Sequence, residues 1–371
     1  MEHEGAGLRN PPVQFSPVST KTTLPCLSND KPRLVLGPQS VPLLVVANSL
    51  KGLEPRRIRN YNGVAVIPDI VIQEKGCGVP GQLDLEPTSH YYISQRLKLH
   101  YVDWGNSNKP LLALVHGGSD HARTWDWVAR ALRDDYHVIA PDLRGHGDSE
   151  WARGSRYTMI EYVADLAQLL TQLDAFPVTL IGHSIGGGIV LQYSGVCCDS
   201  VAKVVAIEGL GPPLRRLQAE KSSADGHMQE WIKQMRDLPN RKRRRFKTLD
   251  AAAQRMREVN NRLSGEQARH LALHGTNRDE DGMYAWKFDS YVNAMSPYPS
   301  RPESTLDVWS LITCPVLLIS GGDSNAPDLE KDERLQAFRN AQARTIPIAG
   351  HHVHHDQLEY LLQVVREFLG L

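Results

Sequence analysis

The sequence predicts an α/β protein, a parallel sheet carrying helices on both faces, and three observations lead there. Short apolar runs of the type that fills buried parallel strands recur at 111–115, 138–140, 178–181, 204–207, 316–319 and 345–348. Segments 125–132 and 159–173 have apolar residues three and four apart and predict amphipathic helices between the earlier runs. One interval, 211 to about 305, breaks the alternation. It carries helical patterns and no strand-like run, which marks an insert between two strands rather than a crossover helix.

In chain order, the first ninety residues differ from everything after them. They hold 11 of the 23 prolines and none of the seven tryptophans. Proline denies the backbone donor that helices and central strands need, so 1–88 reads as a largely irregular, Pro-rich extension. A short apolar stretch, 64–72, offers a single strand that Pro68 interrupts. Next, Leu97, Leu99 and Tyr101 alternate with Lys98 and His100, the pattern of a strand near a sheet edge. The buried runs follow. The core is therefore read as 89–210 with 306–371, and 211–305 as a helical lid.

Composition excludes several classes. Of 371 residues, 42 are basic and 42 acidic, so the chain lacks the basic excess of a dedicated nucleic-acid binder. The insert is the exception, with 18 Lys/Arg against 13 Asp/Glu over 209–310 and a basic run at Arg241-Lys242-Arg243-Arg244-Arg245. Such a run suits attraction of an anionic substrate or a nuclear signal, but by default it is a solvated helix face or loop. No stretch approaches the roughly 20 apolar residues that span a bilayer, and the first residues lack the pattern of a secretory signal. The cysteines (Cys26, Cys77, Cys197, Cys198, Cys314) have no metal-ligand spacing and read as small hydrophobes in a reducing compartment. A cytoplasmic location is expected.

Three motifs carry chemistry. Gly182-His183-Ser184-Ile185-Gly186-Gly187 directly follows the run 178–181. A serine between a strand and a helix must occupy a very tight turn, and glycines at 182 and 186 permit it. His116-Gly117-Gly118-Ser119 follows 111–115, so Gly118 can offer one backbone N–H to a developing oxyanion and Ile185 the second. Asp142-Leu143-Arg144-Gly145-His146-Gly147-Asp148-Ser149 reads as a hydrogen-bonded structural turn below the site.

These motifs, in this order, resemble the α/β-hydrolase superfamily over residues 90 to 371. The resemblance implies an α/β-hydrolase fold with a mostly parallel eight-stranded sheet, an inserted helical cap and a nucleophile–acid–histidine triad. Ser184 matches the nucleophile. The family's Gly-His step after the last strand maps onto Gly350-His351, which makes His351 the general base and acid. The usual acid slot, counted from Gly321, falls on Ser324 rather than Asp323. In the haloalkane-dehalogenase-like branch the acid ends the strand that here closes at Ile207, and this maps onto Glu208. Glu208 is preferred over Asp323, because a carboxylate at a strand end needs a buried partner and an imidazole N–H supplies one.

Relatives that open epoxides or displace halide use aspartate at the nucleophile. Serine implies an acyl-enzyme instead, hence a serine esterase acting on small-molecule carboxylic esters. Other serine acyl hydrolases (a thioesterase, lactonase or carbon–carbon bond hydrolase) share the same machinery, and a non-catalytic binding module is the remaining alternative. Trp125, Trp231 and Trp286 are the candidate substrate-binding aromatics. No cofactor and no metal is expected. The cluster His351, His352, His354, His355 and Asp356 is too local to surround one ion, and no carboxylates gather elsewhere to help.

Overall fold

The computed structural model describes residues 86–371, apart from 155–156, 213–223, 242, 295, 297, 299–301 and 327, and three short stretches before them. The chain divides into two units, Met1–Gly81 and Gln82–Leu371. In the first unit the described residues are three antiparallel strands, Arg59–Tyr61, Val64–Ile67 and Ile70–Gln73. The stretch read as one interrupted strand is thus two, paired through Val66 and Val71. Most of the extension read as irregular, with Cys26 and Cys77, lies outside the described residues.

The second unit is built on eight strands: β1 (Thr88–Ser94), β2 (Leu97–Asp103), β3 (Leu111–Val115), β4 (His137–Pro141), β5 (Val178–His183), β6 (Val201–Ile207), β7 (Val316–Gly321) and β8 (Ala341–Ile346). They lie side by side in the order β1-β2-β4-β3-β5-β6-β7-β8. Neighbours from β4 to β8 pair in parallel, while β2 runs antiparallel to both β1 and β4.

Side-chain alternation sorts the sheet into two cores. Leu111, Ala113 and Val115 of β3 pack on one face with α2 (Met159–Leu173), α3 (Ile185–Val196) and α7 (Pro302–Ser310). Leu112 and Leu114 pack on the other with α1 (Asp126–Leu132) and α8 (Leu358–Leu369). Because both faces are covered, the strands read as continuous apolar runs, and this is why the sequence disclosed them. Helix α2 starts where predicted, with Thr158 and Glu161 closing a capping box. Helix α3 is buried on nearly every side, so it carries no polar stripe.

Three departures share one cause, the weak signal of exposed or very short strands. The run expected at 345–348 overlaps only the end of β8. As an edge strand β8 buries only Ile346, and Ile348 beyond it is exposed at φ 57°. The strand expected near the sheet edge, β2, is there, second from the edge, but the edge strand β1 itself was not foreseen, since only Tyr92 and Ser94 of it are buried. The insert contains α4 (Ala224–Asp237), α5 (Leu249–Val259), α6 (Gly265–Gly275) and a small antiparallel sheet of Arg245–Phe246, Tyr284–Trp286 and Thr276–Arg278. Strands of two or three residues leave no periodicity to read. Among the described residues, no helix is long and apolar enough to cross a membrane.

Candidate active site

Ser184 sits between β5 and α3 at φ 55° and ψ −121°, a strained conformation for a residue with a side chain. Backbone bonds hold it there: its N–H donates to the Ile207 carbonyl at 2.8 Å, and its own carbonyl accepts from Gly188 at 3.1 Å. The flanking glycines are obligatory. A Cβ on Gly182 would lie 2.3 Å from the Gly186 carbonyl oxygen, and one on Gly186 would lie 2.3 Å from that of Val115.

His351 lies in the loop after β8, and its Nδ1 is 3.0 Å from Glu208 Oε2. Glu208 directly follows β6 at φ 56°, with its carboxylate almost fully buried. Two further donors compensate that burial: Gly321 N–H reaches Oε1 at 2.8 Å, and Ser324 Oγ reaches Oε2 at 2.6 Å. The hydroxyl in the usual acid slot thus points at Glu208. Asp323 lies elsewhere, half exposed, and accepts from Arg262 at 2.8 Å. Of the two candidate carboxylates, only Glu208 is brought to His351.

Three supporting residues escaped the sequence reading. The buried His183 ring donates through Nε2 to the His351 carbonyl at 2.8 Å. Asp356 accepts from Gly350 N–H at 2.8 Å and from Asn260 of the insert at 2.8 Å. Together they grip the histidine loop from both sides. Ser324 had a signal, its place in the acid slot; His183 and Asp356 had none, because their partners are remote in sequence.

Ser184 and His351 line two cavities, of about 480 and 750 Å³. Gly117, Gly118 and Ser119 border the smaller cavity, and Ile185 borders the larger. His116 fixes the glycine loop: Nδ1 donates to the Gly117 carbonyl at 2.7 Å and Nε2 accepts from Leu143 N–H at 3.0 Å. That pattern requires the neutral ring, and burial lowers its pKa to about 4. Burial likewise holds His183, His354 and His355 well below the usual imidazole range.

The Asp142–Ser149 stretch is the expected tight turn. Asp142 accepts from His100 Nδ1 at 2.6 Å, Ala122 N–H at 2.7 Å and Asp148 N–H at 2.9 Å. These contacts overcome its burial and hold its carboxyl well below the ordinary range. Arg144 forks onto Asp165 at 2.6 and 2.7 Å, both groups being buried.

Two sequence expectations need correction. Trp125 lines neither cavity: it is fully buried against the α1 face and stacks on His354 at 4.7 Å, since its helical spacing serves the core. Trp231, on α4, is partly exposed and also lines neither, whereas Trp286 lines the smaller one. Nor are the terminal histidines remote from every carboxylate. Asp120, from the loop after β3, brings an oxygen within 4.8 Å of His354 and His355 ring nitrogens. The Thr124 hydroxyl already sits 2.8 Å from His355 Nε2.

Residues 112–364 match the model of the alpha/beta hydrolase family. A serine hydrolase-like protein of Danio rerio is 27% identical over 277 residues, 72% of this chain and 83% of that protein. An esterase of Mycobacterium tuberculosis is 25% identical over 270 residues, 72% of this chain and 84% of the relative. Among solved structures, the thioesterase domain from the curacin biosynthetic pathway superposes with a TM-score of 0.68 at 22% identity, covering 76% of this chain and 99% of that domain. A strained strand–serine–helix turn on a mostly parallel eight-stranded sheet defines the class. This chain belongs to the alpha/beta hydrolase family.

Proposed function

We propose that this chain is a serine hydrolase that cleaves small carboxylic esters through a covalent acyl-enzyme. The observation that carries the reading is the His351–Glu208 pair, 3.0 Å apart, facing the cavities that Ser184 lines. In the first half-reaction His351 takes the Ser184 proton as Oγ bonds to the ester carbonyl carbon. The oxyanion receives the N–H groups of Gly118 and Ile185. On collapse His351 returns the proton to the departing alcohol. In the second half it deprotonates a water that attacks the acyl carbon, and Ser184 leaves with the proton. Glu208 accepts from His351 Nδ1–H throughout, fixing the tautomer and balancing the imidazolium. Residues 211–305 act as the cap, and no cofactor takes part.

The esterase and serine-hydrolase names of the two relatives support this reading. A fluorophosphonate probe tests it. A single adduct on Ser184, absent after heat denaturation, is expected; no adduct on the folded protein favours a non-catalytic binding module. A panel of p-nitrophenyl esters, acyl thioesters and lactones then separates the ester reading from its neighbours. Faster turnover of thioesters than of matched esters would replace esterase by thioesterase.

A further inference from the structure

The described members of the basic run are all exposed, as expected of a solvated run, but they are engaged differently. Arg243 places its guanidinium over the Trp151 ring at 5.1 Å and donates to the Trp286 carbonyl. Arg245 forks onto Asp279 and Asp281. Lys242 lies outside the described residues. Arg244, between two anchored neighbours, lines the smaller cavity and makes no hydrogen bond or ion pair to any described residue.

A second guanidinium lines the same cavity. Arg255 of α5 has a partner, Glu258 at 2.9 Å, but both side chains are over a third exposed, so the pair holds it weakly. Lys287 also borders the cavity and is already committed to Asp148 at 2.7 Å. The insert's other contributions are mainly apolar: Met256, Val259, Leu263, Leu271, Trp286 and Phe288. The one carboxylate on the described lining, Asp120, comes from the core side, beyond the glycine loop. The cavity therefore has reactive groups on its core wall, and an apolar surface with an uncompensated guanidinium on its insert wall.

We infer that this cavity takes esters carrying a carboxylate or similar anion apart from the scissile carbonyl, with Arg244 as the main contact and Arg255 as the second. This rests on the serine-hydrolase reading and adds a substrate class to it. An Arg fork matches a carboxylate in two hydrogen bonds, and flanking apolar walls strengthen that contact. The basic excess of the insert draws such substrates toward the cavity.

Two matched probe pairs test the inference. p-Nitrophenyl hydrogen adipate against p-nitrophenyl hexanoate places the anion on the acyl half. 4-Acetoxybenzoate against phenyl acetate places it on the leaving half. In at least one pair, kcat/KM should favour the anionic member about tenfold or more at low salt, a charge-assisted hydrogen bond being worth that factor. The preference should collapse toward unity in Arg244→Gln, shrink in Arg255→Gln, survive in Arg245→Gln, and weaken at high ionic strength. Circular dichroism of Arg244→Gln checks that it folds. Turnover of the neutral esters with no anion preference in either pair overturns the inference. So does a preference that Arg244→Gln leaves intact. Failure on all four esters instead counts against the serine-hydrolase reading.

Discussion

The two walls of the smaller cavity are built on opposite plans. The core wall holds its groups by buried hydrogen bonds and forced backbone geometry: Ser184 sits at φ 55°, and His351 is held from behind the wall by Glu208, at φ 56°, whose buried carboxylate takes three donors. The insert wall rests on a small apolar cluster whose buried members are Ala252, Ala253, Ala268, Ala272, Leu263 and Leu271, with larger side chains such as Phe246, Met256 and Trp286 only half-buried against them, and it presents exposed charges. Chemistry demands fixed donors and acceptors, whereas selection of a substrate tolerates adaptable ones. Substitutions on the core wall should therefore act steeply, and those on the insert wall in small steps.

The steepest test is Ser184→Ala, which should lower kcat by at least about 10⁴-fold while leaving the fold intact. Esterase activity within tenfold of the parent would break the contrast at once. Next comes the pair of carboxylates. Glu208→Gln removes the charge that balances the imidazolium and turns one of the two acceptor oxygens into a donor, and should lower kcat about 10²- to 10⁴-fold. Asp323→Asn, which touches the insert through the exposed Arg262, should stay within about threefold. Equal losses would mean that Asp323 takes part in the reaction.

Stability should divide along the same line. Arg144→Ala strands the buried Asp165 carboxylate and should cost about 3–5 kcal/mol in urea unfolding. Arg262→Ala removes a half-exposed pair with Asp323 and a looser 4.0 Å contact with Asp356, which keeps its Gly350 and Asn260 donors, and should cost under about 1 kcal/mol. A cost for Arg144→Ala no greater than for Arg262→Ala would remove the distinction.

How much of this was legible in the sequence follows the same divide. Strands β3 to β7 showed as apolar runs because both their faces are buried, and the serine turn showed because only glycine fits at 182 and 186. Glu208 could be placed opposite His351 because Ser324 stands where another carboxylate would be expected. The grip on the histidine loop was illegible, since His183 and His351 are 168 residues apart, and Asn260 and Asp356 are 96. Trp125 misled for a related reason: one helical stripe suits either a core or a cavity, and only its neighbours decide.

Acidification sharpens the contrast at a smaller scale. His116, inside the core, is lowered to about 4 by burial, and His146 to about 3 by burial and then by His116. Below about pH 6.5 the unfolded chain takes up protons that the folded core refuses until those depressed values are reached. The unfolded state then binds more protons, so stability present at neutral pH is lost on the way down. By pH 5, His116 alone should account for about 2 kcal/mol. A Tm several degrees lower at pH 5 than at pH 7.5 is expected, and an unchanged Tm would show that these rings titrate freely.

A modest effect is expected where the walls meet. Asn260, in the turn between α5 and α6, donates to Asp356, and the same carboxylate holds Gly350 N–H beside His351. Asn260→Ala removes one of the two donors at 2.8 Å without touching the reacting groups, so the histidine loop loosens but stays assembled. One neutral-to-charged hydrogen bond lost at a site still partly satisfied corresponds to a fall in kcat of about three- to tenfold, with Asn260→Asp unable to restore it. Because Asn260 also lines the smaller cavity, KM must be measured beside kcat. A change confined to KM would assign Asn260 to the insert wall alone, whereas a change in kcat shows the adaptable wall steadying the rigid one.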